Sequence, residues 1–454
     1  MTNGLFIFHR DLRVKDNQGL IEASKLCTHL YTCFIFTPEQ VSSGNKYRSK
    51  NSIQFMIESL MELENDIKNA GGTLRIFYGS QKKIVSNLIE NLDLNGVYFN
   101  EDYSPYAKAR TEDMKTLCES KEIDCKSFFD YYLYQPGSVK TTTGTYFKKY
   151  TPFYNEVVSR PVKAVSKVNV KNLTSFSNSF NFDFTLSQAF KKYASKNSNI
   201  LVHGGRTLGL KKLQEAKKQQ KNYQEDRDYF TYKTTHMSAY LKYGCVSVRE
   251  MYEGLKNNHG VIRELIWREF FAHVLHGFPE VVGESYQRKY RKLKWSKNKD
   301  HLEKWKTGKT GFPIVDACMR ELNTTGYMHN RGRMTTASVL IKVLLIDWRE
   351  GEKYFSQQLT DIDIASNNGN WQGISGTGVD MKPYFRDMNP WIQSKKFDPN
   401  AEYIKNWVPE LKDVPAADIH KWDEVCTTYT NISYPKPIVD YKTQKEKMMA
   451  MYSA

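Results

Sequence analysis

The chain has 454 residues, an apolar share of 40%, aromatics at 13% and a formal net charge of +16. That length supports two or three domains with real cores, and no apolar run reaches the roughly eighteen residues of a membrane span. So basic a surface gathers polyanions and makes nucleic acid the leading class of partner, a generally lysine-rich source being the plainer account.

In chain order, residues 1–8 lack a basic start and a long apolar stretch, so they read as a first strand and not a signal peptide. Short apolar runs at 5–8, 30–36, 73–78 and 96–99 predict strands, and amphipathic stretches at 51–69, 81–92 and 107–120 predict helices between them. This alternation implies an α/β domain over 1–135, a doubly wound parallel sheet covered on both faces. No G-x-G-x-x-G follows the first strand, so a dinucleotide site is not supported there. Over 136–200 the pattern weakens to Ser, Asn, Lys and Thr with Pro152 and Pro161, a long surface connector with local turns. From 201 to 454 helical periodicity returns at 203–220, 234–256, 260–276, 313–322, 328–347 and 350–360. All eight tryptophans lie at or beyond Trp267, which marks a separate, all-helical domain without a long disordered tail.

The seven cysteines, Cys27, Cys33, Cys118, Cys125, Cys245, Cys318 and Cys426, are never spaced C-x-x-C. This argues against a disulfide framework, a zinc site or an iron–sulfur cluster, and for an intracellular, reducing compartment, nucleus and cytoplasm being indistinguishable.

Several segments carry candidate chemistry. On a helix, Glu264, Trp267, Arg268 and Phe271 share one face, where a Glu–Arg pair under a packed Trp is the plainer reading. Asn330, Arg333 and Met334 share another, with Arg331 pointing elsewhere; an amide beside a guanidinium suits an anion or a heterocycle edge. Gly332 inside that helix costs about 1 kcal/mol against Ala and reads as simple tolerance. Asp361 and Asp363, followed by Asn367 and Asn368, would repel unless they meet hydroxyls, amides or cations; a helix cap and solvated loop is the alternative. Thr234-Thr-His-Met-Ser238 sets hydroxyls before a helical run, as an anion cradle or an ordinary N-cap. Trp295, Trp348 and Trp371 fall on separate elements and read as core packing unless a redox cofactor makes them a relay. The basic run at 288–299 reads as a phosphate-contacting surface or a solvated loop.

Taken in this order, the motifs resemble the DNA photolyase/cryptochrome family, most of all its class I cyclobutane pyrimidine dimer photolyases. The resemblance runs from Phe6-Ile-Phe-His-Arg-Asp-Leu-Arg-Val-Lys-Asp-Asn17, through Gly308-Lys-Thr-Gly-Phe-Pro-Ile-Val-Asp-Ala-Cys-Met-Arg320, to Lys396-Phe-Asp-Pro-Asn-Ala-Glu-Tyr-Ile-Lys-Asn-Trp-Val-Pro-Glu410. It implies an antenna domain, a connector and a helical domain that holds FAD in a bent form. It also implies light-driven electron donation from reduced FAD (FADH⁻) to a flipped dimer in UV-damaged DNA, with return of the electron after the ring splits. No metal is expected, and the working form is expected to be a monomer. Tyr223, Thr234, Thr235, His236, Met237, Ser238, Arg268, Arg333, Asp361, Ile362 and Asp363 match cofactor contacts. Asn367 matches the residue facing ring nitrogen N5, where an amide favours the reduced flavin of repair. Glu264, Trp267, Asn330, Arg331 and Met334 match residues that receive the lesion, Trp267 stacking on it and Glu264 and Asn330 bonding its polar edges. Asn330 and Met334 stand where enzymes for (6-4) photoproducts carry His, which argues against that substrate. Arg227, Gln393 and the basic run match DNA-backbone contacts, and Trp371, Trp348 and Trp295 match the family's electron relay.

Two positions depart from the family. Gly373 stands where a second lesion-stacking Trp is usual, and Tyr327 replaces another common Trp. Loss of one aromatic wall weakens lesion binding by about 1–3 kcal/mol if nothing compensates. Asn100-Glu101 resembles part of a methenyltetrahydrofolate site; a deazaflavin antenna or none are the alternatives. The rival functions are a cryptochrome-type photoreceptor and a DASH-type single-strand photolyase.

Overall fold

The protein is described by a computed structural model covering residues 2–380 and 383–453. Five parallel strands, β1 (Asn3–Phe8), β2 (His29–Phe36), β3 (Leu74–Tyr78), β4 (Gly96–Asn100) and β5 (Asp124–Phe128), form one sheet in the order β3-β2-β1-β4-β5. Helices α1 (Gln18–Leu26), α2 (Lys50–Asn69), α3 (Gln81–Asn91) and α4 (Pro105–Ser120) link them. The four strands expected from sequence carry mostly apolar runs because both faces of the sheet are covered. β5 escaped notice because it is polar, with Asp124 and Lys126 exposed along one side, whereas β3 at the opposite edge buries Leu74, Ile76 and Phe77. α1 was missed as well. It is short, and Asn17 starts it by accepting from Leu20 N.

Residues 136–200 do more than drape over the surface. They form α5 (Tyr150–Val157) and α6 (Leu186–Tyr193), and Leu173 bridges to Leu30 of β2. Phe176, Phe180 and Phe182 surround Phe77 of β3 edge-on, so this segment completes one side of the sheet's core. The sequence hides this because the phenylalanines are separated by polar residues with no helical or strand period.

The helical part includes α7 (Arg206–Gln219), α8 (Ser238–Lys242), α9 (Val248–Leu255), α10 (His259–Gly277), α11 (Pro313–Thr325), α12 (Asn330–Ser338), α13 (Trp348–Gln358), α14 (Ile364–Ser375), α15 (Pro390–Phe397) and α16 (Tyr441–Ser453), with further helices at Lys299–Thr307 and Glu402–Trp407 and shorter turns between them. The periodicity at 234–256 divides into α8 and α9. Between them Gly244 has φ +61°, and a Cβ there would lie 2.6 Å from Arg10 O of the α/β domain. The periodicity at 328–347 also stops early, α12 passing into a π-helical turn, Val339–Val343.

A buried ionic network joins the sheet to the helices. Asp130 accepts from Arg13 Nη2 at 2.7 Å and from Arg249 Nη2 at 2.7 Å, and Arg249 Nε donates to Asp16 Oδ2 at 2.9 Å. All four side chains are at most 3% exposed. Pairing on both sides is what makes so many buried charges tolerable. Among the described residues, no helix is long and apolar enough to cross a membrane, and the seven cysteines are free thiols.

Candidate functional site

α10, α12, α14 and the segment 223–242 enclose a cavity of about 650 Å³. α10 turns Glu264, Trp267, Arg268 and Phe271 towards it, as the i, i+3, i+4, i+7 spacing requires. The expected Glu264–Arg268 pair does not form. Glu264 pairs with Arg227 instead, and burial raises its carboxyl above the ordinary range against that cation. Arg268 Nη1 donates to Tyr131 O at 3.0 Å, its guanidinium lies 4.1 Å from the Tyr132 ring, and its Nη2 is buried without a partner.

α12 brings Asn330, Arg331, Arg333 and Met334 to the same cavity. Arg331 therefore does not point elsewhere; it pairs with Asp228 and lies over Phe397. Gly332 is not mere tolerance either, because a Cβ would sit 2.7 Å from Cys318 Sγ of α11. The glycine lets α12 lie close against α11.

Asp361 and Asp363 avoid mutual repulsion by facing different cations. Arg333 Nη2 donates to Asp361 Oδ2 at 3.0 Å, leaving Asp361 Oδ1 buried and without a partner. Asp363 caps α14 by accepting from Ser366 N, and Arg10 of the α/β domain reaches it at 3.3 Å. Burial pushes the Asp363 carboxyl up, but Lys242, Arg10 and Arg268 outweigh it and hold it at about 2. Lys242, which the sequence reading missed, lines the cavity; burial pulls its amine down to about 8. Asn367 donates through Nδ2 to Glu352 O at 3.0 Å and Ser356 Oγ at 3.3 Å, so its Oδ1 is left as an acceptor at the cavity wall.

Tyr223, Arg227, Thr235, Met237, Ser238 and Ile362 also line the cavity, whereas Thr234 and His236 do not. Thr234 Oγ1 bonds Tyr327 OH at 3.2 Å, and His236, at φ +50°, meets the Tyr327 ring edge-on. No side chain of this loop caps α8, whose cap position is Met237. Buried unpaired atoms (Arg268 Nη2, Asp361 Oδ1), the Asn367 carbonyl, a half-buried lysine, hydroxyls and apolar wall together fit a ligand with anionic, hydroxylated and flat heteroaromatic parts.

A family description of the FAD binding domain of DNA photolyase matches residues 261–454, and one of DNA photolyase matches residues 5–169. The chain is 31% identical to the deoxyribodipyrimidine photo-lyase of Halobacterium salinarum, over 99% of this chain and 98% of that one. It belongs to the DNA photolyase/cryptochrome family. Its fold matches an archaeal photolyase from Sulfolobus tokodaii, solved with two FAD molecules, at TM-score 0.90 and 37% identity over the whole of both chains. It matches a class III photolyase from Agrobacterium tumefaciens at TM-score 0.92 and 31% identity, over 100% of this chain and 97% of that one.

Trp371, Trp348 and Trp295 differ in burial. Trp371 lines the cavity and is 2% exposed; its ring reaches the helix that begins at Trp348 because a Cβ at Gly351 would meet it at 2.1 Å. Trp348 is fully buried and Trp295 half-buried beside Tyr452. Gln393 lies outside the cavity wall, on α15, with Oε1 buried and unpaired. Of the two departures, Tyr327 belongs to the support beneath Thr234 and Arg333. Gly373 lines the cavity itself, and a Cβ there would meet nothing within 4 Å. Asn100 is unavailable to a folate: Nδ2 donates to Asp11 Oδ2 and Asn17 Oδ1, and Oδ1 accepts from Gly19 N.

Proposed function

We propose that this chain is a light-driven deoxyribodipyrimidine photolyase that splits cyclobutane pyrimidine dimers in UV-damaged DNA. The observation that carries the reading is the lining of one cavity by both sets of residues: Arg268, Asp361, Asp363 and Asn367 for a flavin, and Glu264, Trp267, Asn330 and Met334 for a lesion. Those residues would hold reduced FAD, which would supply the light-driven electron-transfer chemistry that opens the ring.

The protein's own part is orientation and exclusion of water. Trp267 offers a stacking surface, and Glu264 and Asn330 offer hydrogen bonds to the edges of a flipped pyrimidine dimer. Asn367 Oδ1 would accept from the ring N–H of a bound reduced flavin and so favour that form. Ser238, Thr235 and Arg268 suit the phosphates, and Trp371, Trp348 and Trp295 carry electrons inward when the cofactor needs reduction. Arg227, Gln393 and the exposed basic run at 288–299 hold the DNA backbone.

Because one chain supplies the entire cavity, a monomer suffices, and the free cysteines suit a reducing compartment. A second chromophore fits the carboxyl ends of the strands. There His9, Gln81 and Arg110 cluster, with Gln81 Nε2 and Arg110 Nε buried and unpaired, and the Sulfolobus relative was solved with a second FAD.

The test is blue-light exposure of the fully reduced protein with a dimer-containing oligonucleotide, reading thymine recovery. Recovery is expected on duplex; recovery on single strands alone would point to the DASH type, and none at all to a photoreceptor, the reading that the open space at Gly373 favours.

A further inference from the structure

One face of the Trp267 indole is already covered. Tyr150, the first residue of α5, lies against it with ring centroids 3.7 Å apart and planes 4° apart. Tyr150 is 3% exposed and is not part of the cavity wall, whereas Trp267 is, so the indole stands between the phenol and the cavity. The other rings on Trp267 do not cover a face in this way: Phe270 meets it edge-on at 5.7 Å and Phe271 at a 31° tilt.

Near face-to-face stacking is not what two rings choose by themselves, because their quadrupoles favour offset or edge contacts. Here it is imposed by anchors. Tyr150 OH donates to Arg263 O at 2.7 Å, one helical turn before Trp267 on α10. Its backbone N–H donates to Asp380 Oδ2 at 2.8 Å, and Phe270 closes its edge at 5.9 Å. The phenol is thus a fixed backing plate, and the indole plane follows it. With Gly373 offering no ring to the same cavity, the set of this one plane matters more than it would between two aromatic walls.

We propose that Tyr150 is a positioning residue for lesion recognition, stacking behind Trp267 to pre-set the plane on which a flipped dimer rests. This rests on the reading of Trp267 as the lesion-stacking residue. A platform already immobile loses less side-chain freedom when the lesion arrives, an advantage of about twofold to tenfold in affinity.

The test uses the full-length, flavin-loaded protein with duplexes that carry a dimer or none, comparing wild type with Trp267→Ala, Tyr150→Leu and Tyr150→Phe. Tyr150→Leu is expected to weaken dimer binding and raise KM for repair by about twofold to tenfold, with kcat and affinity for undamaged DNA held. Tyr150→Phe, which keeps the flat ring and the backbone anchor to Asp380 and loses only the bond to Arg263 O, is expected to lie closer to wild type than to Tyr150→Leu. If Tyr150→Leu does not retain flavin, Tyr150→Met takes its place, filling the volume without a flat face. The proposal is overturned if the aliphatic variant binds the dimer as tightly as wild type, if Tyr150→Phe is as weak as the aliphatic variant, or if undamaged DNA loses affinity equally. Undiminished dimer affinity in Trp267→Ala removes the lesion-stacking reading itself; a loss there with no loss at Tyr150 removes only this proposal.

Discussion

Asn367→Leu isolates what the amide contributes at the cavity wall. Asn367 Nδ2 donates to Glu352 O and Ser356 Oγ, and turning the amide would set its oxygen against the Glu352 carbonyl, so Oδ1 is fixed as an acceptor. Leu has a similar volume and removes that acceptor. The protonated ring nitrogen of a reduced flavin then faces apolar surface, and a buried donor without a partner costs about 1–3 kcal/mol. Only the reduced form carries that N–H, so the penalty falls on one side of the couple. For a two-electron reduction, 30 mV corresponds to about 1.4 kcal/mol, so the potential is expected to fall by roughly 20–65 mV. The assay is a spectroelectrochemical titration of the flavin-loaded variant beside wild type. Restoring an acceptor at the same place, as in Asn367→Asp, should recover part of the shift. A potential unchanged within about 10 mV, with flavin still bound, would refute the assignment of Asn367 Oδ1 as the acceptor.

Three further outcomes follow from the geometry. Gly373→Trp should tighten dimer binding by about 1–3 kcal/mol, read from titration with a dimer duplex, because open space adjoins the helix there; no gain would mean that this wall does not face the lesion. Arg249→Met leaves Asp130 and Asp16 short of a buried partner and should cost about 3–5 kcal/mol, or about 4 °C in Tm if both domains unfold together; a shift below about 1 °C would show the network to be dispensable. Burial pushes the Glu269 carboxyl up to about 7, against Arg268 and the N–H groups of Tyr134 and Leu133. The folded state therefore holds a proton that the unfolded chain releases, and this contribution, complete below the usual carboxylate range, is lost as pH rises through 7. Glu269→Gln should flatten the loss of stability between pH 5 and 7.5 by on the order of 3 kcal/mol, measured by denaturant unfolding at both pH values.

The fold and much of the cavity were legible in the sequence because they depend on local periodicity. A parallel strand covered on both faces is mostly apolar, and 5–8, 30–36, 73–78 and 96–99 are such runs, interrupted only by Thr32, Thr73 and Arg75. A helix face is fixed by 3.6 residues per turn, which is why Glu264, Trp267, Arg268 and Phe271 were read as one surface and are one. The edge strand β5 and the phenylalanines of 136–200 were not legible, since neither carries a period.

Partners across long separations belong to the tertiary structure alone. Glu264 at helical distance from Arg268 reads as an intrahelical pair, yet the fold supplies Arg227 at closer range. Gly332 reads as tolerance until α11 comes to lie against it. Lys242 and Tyr150 carry no motif, and the motif that holds Arg10 does not say what it meets; each matters through what lies beside it, Asp363 for the two cations and Trp267 for the ring. Sequence by itself determined which elements form and which faces they turn inward, because both follow from residue spacing along one chain. Tertiary structure decided which charges meet, which polar atoms are left over for ligands and which ring backs which, because those depend on distances between segments that no local pattern records.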